Sequence, residues 1–111
     1  MKSAMILGIV CAALSMVAGA SALANDLELQ AYETGSDAAN DFCRDLRYEG
    51  VGTLASIFGS LPEPEPITER FRAACRRGYD DTIDNNAACQ ERIRRASAYS
   101  RMWQARSDAC S

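Results

Sequence analysis

Histidine is absent from this 111-residue chain and lysine occurs only as Lys2. That removes at once the commonest general base, the commonest transition-metal ligand and the Schiff-base nucleophile. The five cysteines, Cys11, Cys43, Cys75, Cys89 and Cys110, include no Cys-x-x-Cys pair, so zinc and haem sites are poorly supported and no cofactor is expected. There is no G-x-S-x-G elbow and no phosphate-cradling loop. Gly50-Val51-Gly52 lacks both a preceding strand and the further glycine such a loop requires. A catalytic site would have to be assembled from Asp, Glu, Ser, Tyr, Arg or a thiol, and nothing in the spacing frames one. The chain is therefore read as a non-enzyme. Asp80, Asp81 and Asp84 with Asn85 and Asn86 miss the glycine and the terminal glutamate of a calcium loop, so they are read as a turn and cap and no metal is expected.

What the chain does have begins at its start. Lys2 precedes an apolar run from Ala4 to Val17, and Ala22-Leu23-Ala24 supplies the small-x-small pattern of signal-peptidase cleavage before Asn25. The alternatives are an uncleaved anchor spanning Ala4 to Ala24 and lipidation at Cys11. The first is disfavoured by the good cleavage site, the second by the bulky Val10 just before the cysteine. Residues 1–24 are expected to be a signal peptide and residues 25–111 a single helical domain, periplasmic or extracellular, with no stable membrane insertion after cleavage. In such a compartment Cys43, Cys75, Cys89 and Cys110 persist as two disulfides.

Charge is segregated. Residues 25–69 hold ten acids against Arg44 and Arg47, a net of −8, whereas residues 70–111 hold nine Arg against five acids, a net of +4. Mutual neutralisation of an acidic first helix and a basic last one is the plainer reading; a charged face for a partner is the other. The acidic balance and the compartment both disfavour nucleic acid.

The apolar spacing predicts an all-α bundle of three or four helices stapled by the disulfides. Residues 25–35 are expected to be loose. Ser36 or Asp37 then caps a first helix over roughly 37–59, interrupted by Gly50 and Gly52, where a kink or a close helix crossing is expected. The only prolines, Pro62, Pro64 and Pro66, form a stiff connector. A second helix opens near Pro66 and ends at Gly78 or, if Tyr79 and Ile83 stay in register, at Asn85. In the last helix Cys89, Ile93, Ala96, Ser100, Trp103, Ser107 and Cys110 share one face, which is expected to bury with Trp103 as its anchor. Cys89 and Cys110 would lie about 31 Å apart on a continuous helix, which excludes their pairing and that of Cys43 with Cys75. Of the two remaining connectivities, Cys75–Cys89 with Cys43–Cys110 is slightly preferred for its shorter loop.

A second row on the last helix, Arg92, Arg95, Tyr99, Met102 and Arg106, is the candidate partner-binding stripe. The competing reading has those arginines covering the core edge with their heads on Asp41, Asp45 and Glu49. The function expected is binding of another protein, such as an exported enzyme or toxin, by an inhibitor, immunity-type or envelope-chaperone protein. The rival is a carrier enclosing a small apolar ligand between Phe42, Leu54, Phe58, Phe71 and Trp103.

Overall fold

The computed structural model describes the backbone of residues 2–111 and the side chains of residues 24–111. Five helices follow one another: α1 (Lys2–Asp45), α2 (Leu54–Gly59), α3 (Glu69–Asp84), α4 (Ala87–Ala96) and α5 (Tyr99–Ala109). The all-α fold and the two disulfides match the expectation, and the helix count exceeds it because the first and last long helices are each broken. The expected signal segment lies outside the described side chains except for Ala24, and Cys11 lies outside them too. Among the described residues no helix is long and apolar enough to cross a membrane.

Residues 25–35, expected to be loose, are helical, and Ser36 and Asp37 lie inside α1 rather than at its cap. The reason is an inward apolar stripe with small residues at its centre: Leu27, Ala31, Gly35, Ala38 and Phe42 are buried at helical spacing. Gly35 does not end a lead segment. A Cβ there would sit 1.8 Å from the Cys75 carbonyl oxygen, and one at Gly78 would sit 1.9 Å from the Tyr32 carbonyl oxygen. The two glycines let α1 and α3 touch backbone to backbone, so Gly78 lies within α3, which runs on to the Asn85 cap. The close crossing is thus here and not at Gly50.

Polar groups register the same pair of helices. Glu28 takes Arg70 at 2.7 Å and Arg77 at 3.3 Å, the Tyr32 hydroxyl donates to Asp81 Oδ2 at 2.7 Å, and Ser36 Oγ lies 2.7 Å from Thr82 Oγ1. Residue numbers rise together along both helices, so α1 and α3 run in the same sense.

The chain leaves α1 at Leu46, which adopts φ 55°, and turns again at Gly50, φ 78°. This is the expected kink enlarged into a break. The buried Asp41 carboxylate holds it, accepting the Glu49 N–H at 2.6 Å and pairing with Arg44. Thr53 then caps α2 in a reciprocal box with Ser56. After the proline connector α3 starts at Glu69, not at Pro66. Asn86 caps α4 by accepting the Cys89 N–H, as the turn-and-cap reading requires.

Ser97 produces the largest departure. It takes the left-handed conformation, φ 50°, and the Ala98 N–H reaches back to the Ile93 carbonyl at 2.9 Å. This closing motif is usually built on glycine. The turn rephases α5. Ala98, Met102, Ala105 and Ala109 are buried, while Ser100, Trp103 and Ser107 of the expected inner face are exposed; Ala96, just before the turn, is exposed too, and Cys110 at the end of α5 is buried as expected.

The core gathers Phe42, Leu54, Phe58, Phe71, Tyr79 and Ile93, with the Phe58 and Phe71 rings 4.9 Å apart. Each such side chain contributes about 1.5–3 kcal/mol by burial. Cys43 bonds Cys89 and Cys75 bonds Cys110, tying α1 to α4 and α3 to the end of α5. The two excluded pairings are indeed absent, but the nested arrangement is not adopted. α3 and α5 run in opposite senses, which brings Cys110 beside Cys75, and this leaves Cys89 at the end of α1 that carries Cys43.

Candidate functional site

The five residues of the expected stripe do not share one surface, because the break at Ser97 sends them to different places. Exposed Arg92 borders an 840 Å³ cleft between α1 and the segment around α2, and its guanidinium donates to the Arg44 carbonyl at 3.3 Å. Arg95 is exposed and pairs with Glu91 at 3.1 Å on its own helix. Met102 is buried, at 6% exposure, and belongs to the core. Tyr99 is half exposed, and Arg106 lies partly buried against α3.

The arginines also miss their expected acidic partners. Arg92 and Arg101 donate to the Arg44 and Leu46 main-chain carbonyls, at the negative end of the α1 dipole. The acidic and basic halves meet elsewhere, through Glu28 with Arg70 and Arg77. The Arg70 hydrogen bond is the main reason the Glu28 carboxyl is held below the ordinary carboxylate range.

The structure instead assembles a face around Trp103, which the helical spacing alone places inside. Tyr99 and Trp103 stand one turn apart on α5, 51% and 50% exposed. Both line a groove of about 360 Å³ between α3, α4 and α5, floored by Tyr79, Ile83, Ile93 and Met102. A buried hydrogen bond ties the floor together: the Tyr79 hydroxyl, fully buried, donates to the Met102 carbonyl at 2.7 Å, and burial pushes its pKa well up. Asp80 and Asp84 edge the groove. Burial raises the Asp80 pKa, and Asp84 and Asp81 add to the rise, against the opposing pull of Arg106.

On its other side Trp103 lines a second groove, of about 490 Å³, with Arg72, Arg76 and Arg106. The Arg106 guanidinium lies 5.0 Å from the ring centroid and its Nε 3.4 Å from Asp80 Oδ1. The sequence signal that finds this face is the alternative stripe Ala98, Met102, Ala105 and Ala109, spaced four, three and four. It competes with the stripe through Trp103 and wins only once the helix breaks at Ser97. The residues of the carrier reading are distributed otherwise. Phe42, Leu54, Phe58 and Phe71 pack on one another and border none of these grooves, and Trp103 stands apart from them.

No protein-family model, no curated protein and no solved structure matches this chain.

Proposed function

We propose that the chain is an exported, non-enzymatic protein-binding module of the inhibitor, immunity-protein or envelope-chaperone kind, and that it meets its partner through the part of α5 that carries Tyr99 and Trp103. The observation that carries this reading is the exposure of two large aromatic rings one turn apart on the lip of a groove. Tyrosine, tryptophan and arginine are the residues that most often dominate binding energy, and Arg106 lies against Trp103. Covering the exposed halves of both rings is worth roughly 4–6 kcal/mol before the costs of association. A micromolar complex needs about 8 kcal/mol, so the charged rim must contribute to the contact as well as orient it.

Export is supported by the apolar N-terminal segment with its Ala22-Leu23-Ala24 site and by the two disulfides, which form and persist in oxidising compartments. The working location is then the periplasm or the extracellular space.

The test is native mass spectrometry of the unreduced protein recovered from the envelope of its source cells, run beside a Tyr99→Ala/Trp103→Ala variant. The wild-type chain is expected in a stoichiometric complex that the variant loses, while the variant, which also gives up the buried halves of both rings and the Arg106 contact, still unfolds in one cooperative transition at a cost of about 2–4 kcal/mol. A complex that survives both substitutions would move the interface away from α5.

A further inference from the structure

Two grooves of opposite charge share one wall, Trp103. Nine arginines lie in residues 70–111, yet no basic residue lines the groove beneath Tyr99 and Trp103, while two aspartates do. Three arginines line the neighbouring groove. Arg106 lines only that second groove, so the internal cation resting on the Trp103 ring stays out of the first.

The acidic groove has further negative character. It lies at the C-terminal end of α3, where carbonyl groups carry the negative end of the helix dipole. The Gln90 amide already donates to two of those carbonyls, of Ile83 and Asp84. Asp80 shares Arg106, but exposed Asp84 forms no ion pair among the described residues. An apolar floor, two aromatic walls and an unpaired carboxylate suit a ligand with an apolar stem and a cationic head. A neutral apolar group would cover Asp84 without compensating its lost hydration, and an anion would be repelled.

We propose that this groove receives an arginine or lysine side chain of the partner polypeptide, its stem between Tyr99 and Trp103 and its charge on Asp84. The proposal rests on the reading of α5 as the binding face and names the chemistry that the partner must present there.

Trp103 is the only tryptophan in the chain and walls both grooves, so a fluorescence change is assigned to this groove by its weakening on changing Asp84, which lines this groove and not the basic one. The oxidised full chain is titrated with acetyl-arginine amide, butylammonium, acetyl-norleucine amide and acetyl-glutamate amide. The two cations are expected to give a saturable change with a midpoint of order millimolar, as for one side chain's worth of contact, and the norleucine probe none; any response to the glutamate probe comes from the basic groove and is unchanged in Asp84→Asn. Asp84→Asn is expected to raise the midpoint about fivefold. It removes an acid from a helix C-terminus, so the fold is kept or slightly stabilised. Asp84→Glu restores binding, and 0.5 M salt, roughly three times physiological ionic strength, weakens it in the unaltered chain.

Equal responses to arginine and norleucine probes, or an Asp84→Asn midpoint equal to that of the unaltered chain, would overturn the proposal. A flat cation titration beside a partner complex lost in Tyr99→Ala/Trp103→Ala removes the cation slot and leaves the interface. A complex that survives those substitutions removes both.

Discussion

Where α1 crosses α3 the two backbones touch, Gly35 against Cys75 and Gly78 against Tyr32. Where α5 crosses the same helix the contact is made by side chains: the Tyr79 phenol on the Met102 carbonyl, Arg106 on Asp80 and the Cys75–Cys110 bond. The first kind of contact brings the backbones together at the crossing; beyond it, towards Asn40 and Asn85, the pair opens into a polar groove of about 330 Å³. The second is bridged by side chains, and grooves open on both sides of Trp103. One helix pair is closed at its crossing, and the other is open beside Trp103.

The sharpest way to break that contrast is to add a methyl group at the closed crossing. Gly35→Ala and Gly78→Ala each drive a Cβ into a carbonyl that belongs to a helix backbone and has nowhere to retreat. Each is expected to cost at least about 3 kcal/mol, read by urea unfolding followed by circular dichroism; a loss under 1 kcal/mol would mean that the crossing is looser than described.

A smaller effect is expected on the open side. Cys75→Ala/Cys110→Ala removes a bond that closes 35 residues, at roughly 2–4 kcal/mol. Amide exchange should accelerate in residues 99–109 and stay slow in α1 and α3. Uniform acceleration along the chain would show that the two crossings are not separable.

The smallest effect is one of pH. Glu28 titrates below its ordinary value near 4.5 because of Arg70 first and Arg77 second. Its contribution to stability is therefore complete above that value and lost as pH falls through the lowered native one. Asp80 has the opposite sign: its raised pKa favours the protonated form in the fold, a contribution present below its ordinary 3.8 and lost as pH rises through the raised native value. Acid thus weakens the α1–α3 side and relieves the α3–α5 side. Melting curves of the unaltered chain and Glu28→Gln, collected from neutral pH into acid, should start apart, with the unaltered chain higher, and converge; parallel curves would show that the Glu28 charge does not stabilise the fold.

The fold class was legible in the sequence because helical periodicity survives local error: Phe42, Leu54, Phe58 and Ile93 are buried whatever the helix boundaries. The glycines were harder, since a glycine that breaks a helix and one that lets two helices touch look alike along a single chain. Gly50 is the first kind and Gly35 the second, and only the presence of Gly78 on the partner helix separates them. The break at Ser97 carried no residue-type signal at all, because serine is an ordinary helix residue and the left-handed turn it adopts is held by Ile93 and Ala98 packing inward. One unmarked turn was enough to exchange Met102 for Trp103 and so to hide the candidate face, while Tyr99 and Arg106 remained on it. The disulfide pairing depended on the senses in which α3 and α5 run, which loop length alone does not set.

The two cystines interleave: Cys43 reaches over Cys75 to Cys89, and Cys75 reaches over Cys89 to Cys110. A protease that cuts once between residues 43 and 75, in the proline connector for example, leaves its fragments joined through Cys43–Cys89. A cut between 89 and 110 leaves them joined through Cys75–Cys110, and one between 75 and 89 through both. Along that whole stretch a single nick releases nothing, so the molecule can be cleaved in its most exposed loops and still present Tyr99 and Trp103 on one covalent body.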